Sequence, residues 1–358
     1  MLKRVVPLLL LLLASTTLTA DRRRSTAPAT GWSVPRCAVV HGFPSVALSL
    51  DGGRSVLPHE EKTDGLQAYT FGLARLNRPD HLLATTSRSL LRSEDAGCSW
   101  SVDGRFSFPQ FNYVLVPADG GIWAWSRNAP ELFLFDHDGA LKTTRIAPVL
   151  TPIAFHVNGH QLATADSLGA IWWSDDDGAT WRLQSNAPAT SSVFAVEFSP
   201  QTRNHVIATP IGEGARVSFD GGATWQPSTG LETLNVFQIA FSPVDTNVVW
   251  AIALDRFVKG PTKRAIYHSA DAGRTFRKVL TSSAEIQMTN GFTLAPSPID
   301  ASLLYFALAG TSLYLMDSSG AIHLTSQLPH RDINSVVFSP ASPQVLYFGV
   351  KLSDMSAQ

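Results

Sequence analysis

The sequence predicts an all-β fold, a seven-bladed β-propeller of four-stranded antiparallel blades, on three observations. A short hairpin motif recurs along the 358 residues, a second strand–turn–strand motif runs in step with it, and together they repeat about every 45 residues. The hairpin motif is Ser-x-Asp-x-Gly-x-Thr/Ser-Trp/Phe. It stands at Ser93, Asp95, Gly97 and Trp100; at Ser174, Asp176, Gly178 and Trp181; at Ser218, Asp220, Gly222 and Trp225; and at Ser269, Asp271, Gly273 and Phe276. The four Asp residues lie 81, 44 and 51 positions apart, and 81 is close to two periods, so a weaker copy is expected between the first two. Asp138-Gly139 supplies it, and the degenerate copies Ser49-Leu50-Asp51-Gly52-Gly53 and Met316-Asp317 extend the series to seven.

The second motif begins at Phe198-Ser199-Pro200, Phe241-Ser242-Pro243, Pro296-Ser297-Pro298 and Phe338-Ser339-Pro340, each followed within a few residues by an apolar run. Strand, Pro-containing turn and strand is the natural reading. Full blades are expected near 67–102, 111–147, 152–185, 193–228, 236–280 and 290–325. The seventh is expected to be shared, with early strands from 335–351 and the completing hairpin from 45–57, which joins the chain ends and removes open edges.

The hairpin chemistry is structural. Glycine takes φ > 0 at little cost, the Asp carboxylate accepts from the turn's own amides, and the Ser and Thr hydroxyls tie the flanking strands. Trp100, Trp181, Trp225 and Phe276 are expected to be buried at equivalent places, each at the start of an outer strand.

Outside the repeats, residues 1–20 read as a secretory signal: Met1-Leu2-Lys3-Arg4 is basic, 5–13 is apolar, and cleavage is expected after Ala20. The apolar run is too short to span a bilayer, so no membrane insertion is expected after cleavage. Residues 21–31 read as a disordered leader and 32–358 as one propeller, secreted or periplasmic and monomeric. Cys37 and Cys98 are the two cysteines, and in an exported chain they are expected to pair, stapling the neighbouring first and seventh blades. A net charge of −1 without a basic run excludes a nucleic-acid footprint. Isolated His residues and only two Cys give no metal site, and no cofactor is expected.

These residues resemble the Asp-box (bacterial neuraminidase repeat) propellers, which include sialidases, xyloglucan-cleaving glycosidases, the sortilin ectodomain and photosystem II assembly factors. The resemblance covers essentially the whole mature chain and implies fold more than function, since enzymes and non-enzymes share the hairpin. A sialidase needs an Arg triad for the substrate carboxylate, and Val34-Pro35-Arg36-Cys37 is the nearest counterpart, in the wrong order. The xyloglucan-cleaving relatives use two propellers, and this chain has length for one. Single-propeller assembly factors match best in size and blade count.

The resemblance places functional residues on the face opposite the Asp-boxes, hereafter the loop face. Carboxylates read onto its loops are Asp103, Glu213, Glu232, Asp255, Glu285 and Asp332; binding candidates are Arg105, Arg256, Lys259, Lys263, Arg264, His330 and Arg331. The expected function is a non-catalytic binding or assembly propeller holding a protein or glycan partner on this face. The alternative is a glycoside hydrolase, sialidase-like or β-glucan-cleaving, using two of those carboxylates.

Overall fold

The computed structural model describes residues 31–60, 69–109, 112–185, 191–260, 263–286, 288, 293–307, 312–328 and 331–352. The expected signal segment, nearly all of the leader, and His330 lie outside them. Seven antiparallel sheets form the ring. After β1 (Val46–Ser49), blade one is β2 (Gly72–Arg75), β3 (Leu82–Thr85), β4 (Ser89–Ser93) and β5 (Ser101–Ser107). Blade two is β6 (Tyr113–Ala118), β7 (Gly121–Ser126), β8 (Ala129–Phe135) and β9 (Leu141–Ile146). Blade three is β10 (Ala154–Asn158), β11 (Gln161–Ala165), β12 (Ile171–Ser174) and β13 (Arg182–Ser185). Blade four is β14 (Val193–Phe198), β15 (Val206–Pro210), β16 (Arg216–Ser218) and β17 (Gln226–Pro227). Blade five is β18 (Asn235–Phe241), β19 (Val249–Leu254), β20 (Arg264–Ser269) and β21 (Arg277–Thr281). Blade six is β22 (Thr293–Pro296), β23 (Leu303–Ala307), β24 (Ser312–Asp317) and β25 (Ile322–Gln327).

The closing blade takes β26 (Arg331–Phe338) and β27 (Leu346–Leu352) from the C-terminal end and β1 from the N-terminal end, in the order β26, β27, β1. The N-terminal part of the chain therefore supplies its third strand, with Val46 opposite Gly349 and Ser49 opposite Leu346. Among the described residues this blade pairs three strands where the others pair four. Where the fourth would run, Leu57 still donates to the Leu48 carbonyl (2.8 Å), but Pro58 has no amide to continue the ladder. The edge is covered instead by the segment around Val40, which bridges His59 in parallel, while His41 bridges Ser99 of blade one. The Cys37–Cys98 disulfide, with Cα atoms 5.8 Å apart, fastens this segment to the blade-one hairpin.

Five hairpins make the full Asp-box clamp. In the first, Asp95 Oδ1 accepts from the Ser93 hydroxyl (2.9 Å) and the Ser99 amide (2.9 Å), and Oδ2 accepts from the Ser99 hydroxyl (2.6 Å). Gly97 N donates to Ser93 Oγ at 2.9 Å. The same contacts recur around Asp176, Asp220 and Asp271, and also around Asp51, a copy degenerate only in its last residue. At Asp176 the Thr180 amide, then the Thr180 and Ser174 hydroxyls, push the carboxyl down to about 2, so this hairpin holds a carboxylate throughout the neutral range. The weak copy in blade two corrects the sequence reading. Asp136, not Asp138, caps its turn by accepting from the amides of Asp138 and Ala140 (both 2.9 Å), and Asp138 pairs with Arg78 at 2.7 Å.

Blades pack face to face through the Asp-box. Gly97 has φ +88°, and a Cβ there would stand 2.7 Å from the Tyr347 ring of the closing blade. Gly273 meets Ile207 of blade four in the same way, at 2.5 Å, so glycine is required for close approach as well as for the turn. Trp100 and Phe276 are buried, but Trp181 and Trp225 are half-buried, contrary to the equivalence expected from sequence. Trp100 is roofed by the N-terminal segment: its amide donates to the His41 carbonyl (3.0 Å), and Val40 and Val46 share its core. Phe276 is covered alike by 229–230, where Thr229 bridges Thr275. Trp181 and Trp225 pack at the edges of their cores instead.

Candidate functional site

The loop face carries the connections from the second to the third strand of each blade and from one blade to the next. Asp103 and Arg105 do not belong to it. Both lie in the outer strand β5, where Asp103 is 8% exposed and accepts from Arg105 Nε (2.8 Å) and Arg92 Nη2 (3.1 Å). The Arg92 and Arg105 guanidiniums also reach the Asp138 carbonyl, so the trio clamps blade one to blade two. The Arg105 hydrogen bond leads in holding the Asp103 carboxyl down to about 2. A depressed carboxyl contributes stability that is present above its unfolded value and is lost as pH falls through the folded one. Asp103→Asn is therefore expected to cost about 2 kcal/mol near neutral pH, with the difference from wild type shrinking below about pH 4 in acid denaturation curves.

Phe106 and Phe108, from the same segment, also serve the blade junction. Phe106 packs edge-on to Phe133 and Phe135 (both 5.1 Å), and Phe108 stacks on Tyr113 at 4.5 Å.

Of the remaining acids, Glu213 and Glu232 stand on adjoining connections of blade four, where the Gly214 amide donates to the Leu234 carbonyl (3.1 Å), while Asp255, Glu285 and Asp332 stand on later connections and strands. Glu213, in the β15–β16 turn, accepts from Arg216 (2.9 Å) and Ser191 (3.0 Å), and the Arg216 contact leads in lowering its carboxyl. Asp103 and Glu213 are thus held on the ionised side, opposite to what a glycosidic general acid requires. Glu232 accepts from the Gly230 amide (2.8 Å), Asp255 from the Phe257 amide (2.9 Å), and Glu285 is exposed beside Ser283. Asp332 lies in β26 opposite Lys351.

Among the basic candidates, Arg256 lies over the Phe257 ring (5.1 Å) and against Gly212, bringing the blade-four and blade-five loops together. Lys259 and Lys263 are exposed. Arg264 turns inward, donating to the Met288 carbonyl (2.8 Å) and lying over Phe237 at 5.8 Å; its burial lowers its pKa. Arg331 begins β26. Arg36, the counterpart weighed for a substrate clamp, lies with Asp80 and Asp95 on the Asp-box side.

Sequence reasoning missed two features. Leu150, Leu168, Ile211 and Phe257 are 80, 54, 42 and 73% exposed, and all four stand on loop-face connections of successive blades from two to five. Beneath them lies an axial cavity of about 470 Å³, walled by the innermost strands β10, β14, β18 and β22 and bordered by Trp125 and Arg127 at the loop-face end of β7. Glu197 of β14 lines it, and burial pushes its carboxyl up to about 8 against the opposing attraction of Arg127. No motif marked these residues, since a ladder residue in one strand becomes a cavity wall only when the ring closes. Among the described residues, no group of three or more His, Cys, Asp or Glu is placed to hold a metal, and no helix is long and apolar enough to cross a membrane.

Comparison with known proteins agrees with this architecture. The Sortilin-Vps10 family, described as sortilin, neurotensin receptor 3, matches residues 169–348. The dispase autolysis-inducing protein of Streptomyces mobaraensis is 32% identical over 364 residues, covering 95% of each chain. Two solved structures share the fold. One, YCF48 bound to D1 peptide, has a TM-score of 0.57 at 15% identity over 90% of this chain and all of that one. The other, YCF48 from Cyanidioschyzon merolae, has a TM-score of 0.56 at 16% identity over 80% of this chain and 96% of that one.

Proposed function

This chain belongs to the Sortilin-Vps10 family, and from that premise we propose that it is an exported, non-catalytic propeller whose loop face binds another protein. The observation that carries the reading is the exposed apolar series Leu150, Leu168, Ile211 and Phe257, flanked by Arg127, Arg256, Lys259 and Lys263. Apolar side chains left in water on one face, among charged side chains of both signs, suit a protein partner. A sugar site more often presents exposed Trp or Tyr, and among the described residues neither is exposed. The disulfide fits an oxidising compartment outside the cytoplasm. The YCF48 structure, which carries a bound peptide, supports a protein partner on such a ring.

The relative's name points further, to the protease dispase and its autolysis. The test is to mix this protein with purified dispase and follow the loss of intact protease. Added wild-type protein is expected to speed that loss. The double variant Leu168→Asp, Phe257→Asp is expected to return it to the unassisted rate, whereas Ile299→Asp, an exposed change in an Asp-box-face turn, leaves the effect intact. Unchanged autolysis together with no complex on gel filtration would contradict the protease reading. Equal effects of the two variants would contradict the loop face.

A further inference from the structure

We propose that the axial cavity receives a cationic side chain, Lys or Arg, of the bound protein, with the Glu197 carboxylate as its ion-pair partner. The inference rests on the protein-binding reading and names the chemistry by which that site selects its partner. Its starting point is an imbalance in the cavity. Glu197 is the one carboxylate among the lining residues, and it has no hydrogen bond or ion pair among the described residues. Glu197 is half-buried, so its carboxylate is only partly hydrated in a cavity walled largely by apolar side chains, and an incoming ammonium or guanidinium supplies the missing partner.

The walls favour the same class of ligand. Phe155, Phe198 and Phe237 line the cavity, and aromatic faces attract cations while accommodating the methylene stem of Lys or Arg. Neutral apolar groups leave the carboxyl unsatisfied, and anions are repelled by it. The mouth at Trp125 and Arg127 gives access from the loop face. Two other titratable groups border the space. Arg127 is exposed, so water screens its repulsion, and His156, stacked on Phe198 at 5.2 Å, is lowered by burial to about 4 and is neutral near pH 7.

Binding is consequently coupled to pH. The Glu197 carboxyl, raised by burial to about 8, holds a proton below that value, and a cation has to displace it. Affinity for a cation that stays charged rises as pH rises through about 8. The competent fraction makes binding roughly 20-fold weaker at about pH 6.5 than at about pH 8.5.

The experiment is calorimetric titration of the full chain with N-acetyl-arginine amide and with its neutral isostere N-acetyl-citrulline amide. The arginine probe is expected to bind about tenfold or more tightly than the citrulline probe at about pH 8.5, with proton release and the pH dependence above. Glu197→Gln is expected to abolish the preference. It should melt no lower than wild type at that pH, since it removes an unpaired, half-buried charge. Equal binding of the two probes, no detectable arginine binding, or an unaltered preference in Glu197→Gln would overturn the cation site. Those outcomes would leave the protein-binding reading standing, because the autolysis assay and its loop-face variant test that separately.

Discussion

Replacing Trp100 by alanine is expected to lower the unfolding free energy by about 3–5 kcal/mol, read as a shift in the urea midpoint. The side chain is 5% exposed and packs among Val40, Val46, Leu48 and Tyr347, so its loss opens a cavity between the first and closing blades. Its Nε1 also donates to the Gly97 carbonyl at 3.2 Å, tying the ring to its own hairpin. Trp181 occupies the same motif position but is half-buried, and Trp181→Ala is expected to cost roughly 1–2.5 kcal/mol. Equal losses in the two variants would show that the motif alone, without the N-terminal roof, sets the contribution of its aromatic.

The second large effect concerns closure. Cys98→Ala is expected to destabilise the protein by about 2–4 kcal/mol, because the bond closes a loop of 61 positions in the unfolded chain. In the folded state it pins the segment that covers the edge of the closing blade, where Val40 donates to Pro58 O (2.8 Å) and His41 to Cys98 O (2.9 Å). The loss is measured by denaturation of wild type and variant, with wild type plus reductant expected to follow the variant. A variant as stable as wild type would show that β1, with its four pairings to β27, closes the ring unaided.

The fold was legible because each blade repeats its own local signals. Ser, Asp and Gly at fixed offsets specify a turn wherever they occur, and the apolar runs after Phe-Ser-Pro specify strands, so seven copies announce seven sheets. What covers each hairpin was not legible. Trp100 and Trp181 have the same motif around them, yet one lies beneath a segment about 60 positions earlier and the other does not. Asp103 and Arg105 looked like loop charges because four of the seven residues of β5, Ser101–Ser107, are Ser, Asp or Arg; an outer edge strand buries little, and only the neighbouring Arg92 and the Asp138 carbonyl make the site a clamp.

Glu197 was hidden for a related reason. In Val193–Phe198 it reads as the polar member of a strand, and its place in a cavity wall arises from β10, β18 and β22, distant in sequence. The exposed Leu168, Ile211 and Phe257 were equally silent, since an apolar residue in a short connection signals nothing until its burial is known.

Hydrogen exchange of this protein with and without saturating dispase tests the central claim, that the loop face binds a protein, most directly. Protection is expected in the connections β7–β8, β11–β12, β15–β16 and β19–β20, which carry Arg127, Leu168, Ile211 and Phe257. The Asp-box hairpins around Asp95, Asp176, Asp220 and Asp271 are expected to exchange as in the free protein. Protection confined to those hairpins, with the loop-face connections unchanged, would contradict the account.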